Sequence, residues 1–114
     1  VFVSGSPQEP KEVISDWRTT ASAWRGKNGQ RFTYTFPAGG TPGSVWGTDQ
    51  YTDDSSIATA AVHAGLITFA RGGTVTIEIR AGASAYTGST RNGVTSSNYG
   101  SFDGSFVFIP PPKK

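Results

Sequence analysis

The feature that most constrains the fold is a short alanine-rich segment in the middle of the chain, Ile57-Ala-Thr-Ala-Ala-Val-His-Ala-Gly65. It is apolar around most of a helical circumference, which is typical of a helix enclosed by other elements. We predict Asp53 as the N-cap, because its carboxylate can accept hydrogen bonds from free N–H groups of the first turn. Gly65 suits the left-handed residue that ends a helix. The sequence therefore predicts a buried helix over residues 54–64.

The composition limits what can surround this helix. The chain has 114 residues, enough for one domain with one modest core. It contains no cysteine, which excludes disulfides, thiolate catalysis and cysteine-ligated metals. No apolar run approaches the roughly 20 residues that span a bilayer, so no membrane span is expected. Because the chain does not begin with Met, we expect it to be processed or trimmed.

The charge argues against a nucleic-acid partner. The net charge is +2, and Lys113 and Lys114 account for it. A nucleic-acid binder is expected to carry a basic face within the fold itself. Two interpretations remain open for the main basic cluster, a local anion site or a solvated face. The cluster comprises Arg18, Arg25, Lys27 and Arg31.

Strands are predicted where apolar and polar residues alternate. The two clearest are 31–36 and 74–80, in which every second side chain is apolar and shares one face. A closing strand is predicted over 105–109, and shorter strands over 44–46 and 66–69. The predicted fold class is α+β, mainly β, with one or two helices.

The remaining segments suggest a simple domain plan. Residues 17–24 carry apolar residues at helical spacing and predict a short helical turn. Residues 81–104 are rich in Gly, Ser, Asn and Tyr and predict long ordered loops. We divide the chain into an N-terminal extension or linker (1–16), one domain (17–109) and a Pro/Lys tail (110–114).

Six further motifs follow one another along the chain. They are Tyr51-Thr-Asp-Asp-Ser-Ser-Ile57, Ala60-Ala-Val-His-Ala-Gly65, Gly72-Gly73, Tyr86-Thr-Gly-Ser89, Asn92-Gly-Val-Thr-Ser96 and Ser101 to Phe108. This ordered series resembles the LCCL domain, in a cysteine-free variant of bacterial type. The similarity covers about residues 17–109, and the Ala-Ala-Val-His-Ala-Gly run is its most specific part.

The resemblance implies a central short α-helix wrapped by irregular antiparallel β-sheets. It also implies a non-enzymatic binding and adhesion module that is secreted, periplasmic or at the cell surface; lipopolysaccharide recognition is associated with one family member. The family usually carries cysteines, and Phe36 and Ala58 stand about where two of them are expected. Packing must then supply what a disulfide supplies, usually about 2–4 kcal/mol.

His63 and a set of three aspartates are the candidates for a chemical site. A catalytic role for His63 needs a serine within hydrogen-bond reach, and Ser56 on the same helix is about 10 Å away at the standard rise. We therefore interpret His63 as a packed histidine that hydrogen-bonds to a neighbouring loop. Asp49, Asp53 and Asp54 leave open a calcium site or a glycosidase carboxylate pair, although helix capping explains two of the three.

The stretch 81–104 is the predicted binding region, because it concentrates polar, aromatic and cationic side chains. The predicted ligand-binding residues are Tyr86, Arg91, Asn92 and Tyr99, with Arg71 second. Aromatic rings beside amides and hydroxyls suit sugars, and an arginine in a glycine turn suits a phosphate or carboxylate. The alternative for each residue is structural, as a plug that packs a loop or as a solvated or paired cation.

Two hypotheses of function follow. The first is a non-catalytic module outside the cytoplasm that recognises a glycan or a lipopolysaccharide-like anionic surface, without metal or cofactor. The second is a structural or assembly module of a larger extracellular complex or filament, acting through contacts with other protein subunits. The apolar start at Val1–Val3 and the tail 110–114 motivate the second. An enzyme is the least favoured class, because no converging titratable groups are evident.

Overall fold

One six-stranded sheet and one short helix organise the computed structural model, which describes residues 12–14 and 16–109. The sheet has the order β1-β2-β5-β8-β4-β3. Its strands are β1 (Glu12–Ile14), β2 (Arg31–Phe36), β3 (Gly47–Thr48), β4 (Gln50–Thr52), β5 (Gly73–Ala81) and β8 (Gly104–Ile109). A small hairpin joins β6 (Thr90–Arg91) to β7 (Val94–Thr95), and the helix α1 is Ile57–His63.

The sheet is antiparallel except at one edge, where β1 runs parallel to β2. β5 lies at its centre, between β2 and β8. One row of backbone partners crosses four strands, from Glu12 to Thr33, Thr76 and Ile109. β1 lies inside the segment 1–16 that the sequence assigned to an extension, so part of that segment belongs to the sheet.

The core lies between the inward face of the sheet and α1. Val75, Ile77 and Ile79 of β5 are buried, and the alternating residues of β2 and β8 join them in one hydrophobic cluster. All seven residues of α1 are buried as well. The alternation and the apolar helix therefore place the core as the sequence predicts, and the fold class, α+β and mainly β, is confirmed.

The helix begins later than predicted, and its N-cap is Ser56 instead of Asp53. Ser56 Oγ accepts a hydrogen bond from Thr59 N at 3.2 Å and donates one to Trp17 O at 2.9 Å. The preceding residues form a turn, closed by a bond from Ser55 N to Thr52 O at 2.9 Å. The predicted C-terminal end is confirmed, because Gly65 takes a φ of +86° directly after the last turn.

Two other predictions of local structure were wrong. The apolar run 66–69 is not a strand, because Gly72 N bonds back to Thr68 O at 2.8 Å and closes a turn. Residues 41–45 are irregular, and Trp46 makes only an isolated bridge before β3 begins. The short helical turn predicted in the stretch 17–24 is present as a single 3₁₀ turn, Ser22–Trp24.

Residues 1–11, 15 and 110–114 are outside the described part of the chain, so the predicted roles of Val1–Val3 and of the Pro/Lys tail fall outside it too. Within residues 12–14 and 16–109, no helix has the length and apolar character to cross a bilayer.

Candidate functional site

The loop-rich region 82–103 lies over the β3–β4 hairpin and is tied to it by backbone hydrogen bonds. Gly47 N donates to Ser97 O at 3.1 Å, and Ser97 N donates to Val45 O at 2.9 Å. Tyr86 and Tyr99 exchange a pair of backbone bonds of 2.8 and 3.0 Å. These bonds fix the course of the loops, so side chains on them are held in defined positions.

Three aromatic rings and one arginine form a continuous row on this surface, which we call the aromatic strip: Trp46, Tyr99, Phe102 and Arg25. The centroid of Tyr99 is 6.3 Å from that of Trp46 and 5.5 Å from that of Phe102, and both contacts are edge-to-face. The Arg25 guanidinium carbon lies 4.9 Å from the Phe102 centroid. Tyr99 is 45% exposed, while Trp46 and Phe102 are half-buried.

Backbone contacts hold the strip from behind. Trp46 N donates to Ser55 Oγ at 3.0 Å, which ties the first ring to the turn before α1. Phe102 N donates to Ala83 O at 3.1 Å, and the Tyr86 hydroxyl donates to Phe102 O at 3.3 Å. The backbone that carries the rings is therefore held in place. Residues held in this way lose less conformational entropy when a ligand binds.

Arg25 is anchored by a buried carboxylate. Its Nε donates to Asp53 Oδ2 at 2.8 Å and its Nη2 to Asp53 Oδ1 at 2.7 Å, a two-pronged pair. The Asp53 side chain is fully buried, whereas that of Arg25 is 42% exposed. The hydrogen bonds to Asp53 raise the pKa of Arg25 above its ordinary value. Asp53 thus neutralises the positive charge at this end of the strip. Because both of its carboxylate oxygens bind Arg25, Asp53 does not cap the helix.

Gly104 makes room for this ion pair. A Cβ atom at position 104 would collide with Asp53 Oδ2 and press on the Arg25 side chain. Gly104 O also accepts a bond from Asp53 N at 3.0 Å. The glycine is therefore required by close approach of the backbone to the carboxylate.

Of the predicted binding residues, Tyr99 is exposed and lies at the centre of the strip. Tyr86 is buried, because its hydroxyl accepts a bond from Ala83 N at 2.9 Å and its ring lies under the loops. In this structure the Tyr86 side chain supports the loops through these bonds. Asn92 adopts a φ of +52° and donates from Nδ2 to His63 O at 2.9 Å, so its amide closes the end of α1.

The two predicted arginines differ in their surroundings. Arg91 donates to Asp49 at 2.9 Å, and the side chains are 34% and 42% exposed, respectively. Asp49 has a φ of +70°, a conformation that costs most residues energy but that Asp tolerates at a turn. Arg71 lies in the turn 68–72, where its backbone N–H donates to Thr68 Oγ1 at 3.2 Å.

The three carboxylates that left a calcium site or a glycosidase pair open each have a separate partner. Asp53 binds Arg25 and Asp49 binds Arg91, while Asp54 accepts a bond from Thr52 Oγ1 at 2.6 Å. Across residues 12–14 and 16–109, no group of three or more His, Asp or Glu side chains converges to hold a metal ion. These carboxylates serve as partners of cations and of a hydroxyl.

A comparison with known protein families identifies the family of this chain. The LCCL domain profile matches residues 14–106, most of the chain. The chain belongs to the LCCL family. No curated protein matches the sequence. LCCL domains are known extracellular modules, and the family is one of binding modules.

In this LCCL domain, two buried residues stand where the resemblance led us to expect cysteines. Phe36 is 2% exposed and Ala58 is fully buried. The Phe36 ring contacts Trp17 and Tyr34, with centroids 5.9 and 6.0 Å apart. Packed side chains thus occupy the space around both positions.

The histidine of this LCCL domain is part of a buried hydrogen-bond chain. Its Nδ1 lies 2.9 Å from the Tyr51 hydroxyl, and its Nε2 lies 3.0 Å from Ser89 O and 3.2 Å from Ser89 Oγ. His63 therefore bonds to a neighbouring loop, as predicted. Burial raises the pKa of Tyr51 to about 12, so its hydroxyl remains protonated at neutral pH.

The chain places a serine beside the histidine. Nε2 either donates to Ser89 O while Nδ1 accepts from Tyr51, or accepts from Ser89 Oγ while Nδ1 donates to Tyr51, and the tautomer of His63 sets which pair of bonds forms. His63 and Tyr51 are both fully buried. The sequence pointed to His63, but Ser89 is 26 residues away and carries no local signal.

Proposed function

We propose that this LCCL domain is a non-catalytic binding module, acting outside the cytoplasm, that recognises a glycan through the aromatic strip. The observation that carries the proposal is the 45% exposure of Tyr99 in contact with Trp46 and Phe102. An exposed ring supported by other rings presents apolar area without losing much side-chain entropy on binding. Sugar rings have apolar C–H faces that suit this surface.

Polar groups around the strip support the same ligand class. Ser97, Asn98 and Ser101 are exposed and come from the same loop as Tyr99. Their hydroxyl and amide groups both donate and accept hydrogen bonds, as sugar hydroxyls require. A ring with such neighbours combines an apolar body with polar rims, the pattern of a sugar-binding surface.

The charges favour neutral sugar units at the strip. Arg25 is neutralised by Asp53, and Arg91 is paired with Asp49. An anionic ligand at Arg91 must displace Asp49, although an exposed pair of this kind is worth only about 0–1 kcal/mol. We therefore expect stacking on Tyr99 to be the main contact with the glycan. A contact between Arg91 and an anionic group of the ligand would add to it.

A glycan array followed by calorimetric titration of the best hit tests the proposal. We expect Tyr99→Ala to weaken binding by about tenfold or more, the loss of one stacked ring. Leu66→Ala is the matched control, because Leu66 is another large exposed apolar residue, 38% exposed, outside the strip. No binding to any glycan, or equal binding by wild type and Tyr99→Ala, would contradict the proposal.

The assembly hypothesis predicts a different result at the same residues. Tyr, Trp and Arg are also the residues that dominate protein–protein interfaces, and the strip contains all three. Light scattering coupled to size-exclusion chromatography distinguishes the two functions. A concentration-dependent oligomer that Tyr99→Ala disperses, without any glycan binding, would assign the strip to protein contacts.

A further inference from the structure

An open pocket of about 250 Å³ lies where the loop 41–44 passes the turn that leads into α1. It has no part in the aromatic strip. Its walls are Trp17, Arg18, Thr20, Thr41, Pro42, Gly43, Ser44, Asp54 and Ser56. Pockets for drug-sized ligands measure about 300–1,000 Å³, so this one has room for a single small molecule.

Two opposite charges line the pocket without pairing. Arg18 and Asp54 both contribute to its walls, yet they do not form an ion pair with each other. Among the described residues the Arg18 guanidinium has no hydrogen-bond partner, although its backbone N–H donates to Asp16. The described arginines 25, 31, 80 and 91 are each paired with a carboxylate, whereas Arg71, like Arg18, forms no ion pair with the described residues.

Asp54 has spare hydrogen-bonding capacity. Its Oδ1 accepts from Thr52 Oγ1 at 2.6 Å, while its Oδ2 accepts no bond from the described residues. The side chain is exposed, so the free oxygen is open to a ligand. A carboxylate held on one side and free on the other is a positioned acceptor for an ammonium group.

The walls of the pocket are fixed by the fold. Ser56 N donates to Ser44 O at 2.8 Å, and Gly43 N donates to Thr59 Oγ1 at 2.9 Å, which ties the loop to the helix. The Trp17 ring is 6% exposed and its Nε1 donates to Pro37 O at 2.8 Å. These bonds hold the walls next to the two charged side chains in place.

We propose that this pocket binds a small zwitterion, with the carboxylate on Arg18 and the ammonium on Asp54. The arginine fork matches a carboxylate in a two-pronged geometry, and Asp54 supplies the opposite charge. A ligand that bears both charges neutralises both walls at once, whereas a simple anion or cation leaves one of them uncompensated. Thr20, Thr41 and Ser44 line the same pocket.

A series of ω-amino acids of increasing length tests the spacing between the charges of Arg18 and Asp54. Glycine, β-alanine and 4-aminobutyrate are titrated by NMR into the wild-type protein through the millimolar range, with acetate and methylamine as single-charge probes. We expect one of the three zwitterions to bind about tenfold tighter than either single-charge probe. No shift with any zwitterion, or equal affinity for acetate, overturns the proposal.

Two conservative variants test the assigned residues. Arg18→Gln and Asp54→Asn are each expected to weaken the best zwitterion by about tenfold, while Arg71→Gln, at another exposed arginine, leaves its affinity unchanged. Unchanged binding by Arg18→Gln or by Asp54→Asn contradicts the assignment. Thermal unfolding of each variant confirms that the fold is intact. Tyr99→Ala must also leave the affinity unchanged, which separates this pocket from glycan binding at the strip.

Discussion

At the scale of single residues, the pair of Arg25 and Asp53 connects the core to the candidate surface. The carboxylate lies inside the protein, against the backbone of Gly104, and the guanidinium reaches the surface beside Phe102. One side chain therefore satisfies a buried charge and also forms the end of the aromatic strip. Loss of Arg25 is expected to affect stability and the binding surface together.

Arg25→Ala is expected to lower the free energy of unfolding by about 2–3 kcal/mol, because it leaves the Asp53 carboxylate buried without its partner. Because Arg25 is half-exposed, the expected loss is smaller than that for a wholly buried ion pair. Urea unfolding measures the loss. Arg80→Ala is the matched control, since Arg80 pairs with Glu78 at the surface and such pairs contribute less than about 1 kcal/mol. Equal losses would show that Asp53 does not depend on Arg25.

At the scale of elements, α1 depends on a cap that also ties it to the chain before it. Ser56 bonds to the first turn and to Trp17 O, and Ile57 N donates to Thr19 O at 3.0 Å. The helix has seven residues, too few to be stable alone. Its existence therefore depends on burial and on these end contacts.

Ser56→Ala is expected to destabilise the domain by about 1–2 kcal/mol, the usual cost of losing a cap together with a second hydrogen bond. Circular dichroism during urea unfolding measures the change. Asp54→Asn changes a residue of the same turn that does not cap the helix, so its effect is expected within about 0.5 kcal/mol. A larger loss for Asp54→Asn than for Ser56→Ala would show that the cap is assigned wrongly.

The same elements show what the sequence can predict. β2 was predicted with its observed bounds, and β5 and β8 within one residue, because alternation directly reports which face is buried. The cap was missed because Asp53 and Ser56 are both good capping types. The deciding contact is with Arg25, 28 residues away. Likewise, the run 66–69 is apolar enough for a strand, and the bond between Thr68 and Gly72 makes it a turn.

The candidate surface was predictable only in part. Tyr99 was named from its loop, but Trp46, Phe102 and Arg25 were not among the predicted binding residues. Trp46 and Tyr99 are distant in sequence and meet only through the backbone bonds between Gly47, Val45 and Ser97. No local pattern encodes such a contact, so composition indicated the region and the fold determined the surface.

At the scale of the whole molecule, stability is expected to have an alkaline limit set in part by Tyr51. Its pKa is raised from 10.0 to about 12 by burial, so the unfolded chain releases this proton more easily than the folded one. The neutral hydroxyl thus contributes stability that is fully present below pH 10 and is lost as the pH rises toward 12. The shift corresponds to about 3 kcal/mol.

Urea unfolding between pH 8 and 12 tests this dependence, with Tyr51→Phe as the control. The variant loses the bond to His63 and is expected to be less stable near neutral pH by about 1 kcal/mol. It is also expected to lose less stability than the wild type as the pH rises. Parallel curves for the two proteins would show that Tyr51 is not the group responsible.

The row of partners from Glu12 to Ile109 sets the distance between the two ends of the described sheet. Three strand spacings of about 4.8 Å place the start of β1 and the end of β8 roughly 14 Å apart. A folded unit whose entry and exit lie so close together can be inserted into a surface loop of a host domain without forcing the host apart. The sheet thus makes this LCCL domain suited to insertion into a host protein, because the two host residues at the insertion site can stay close together.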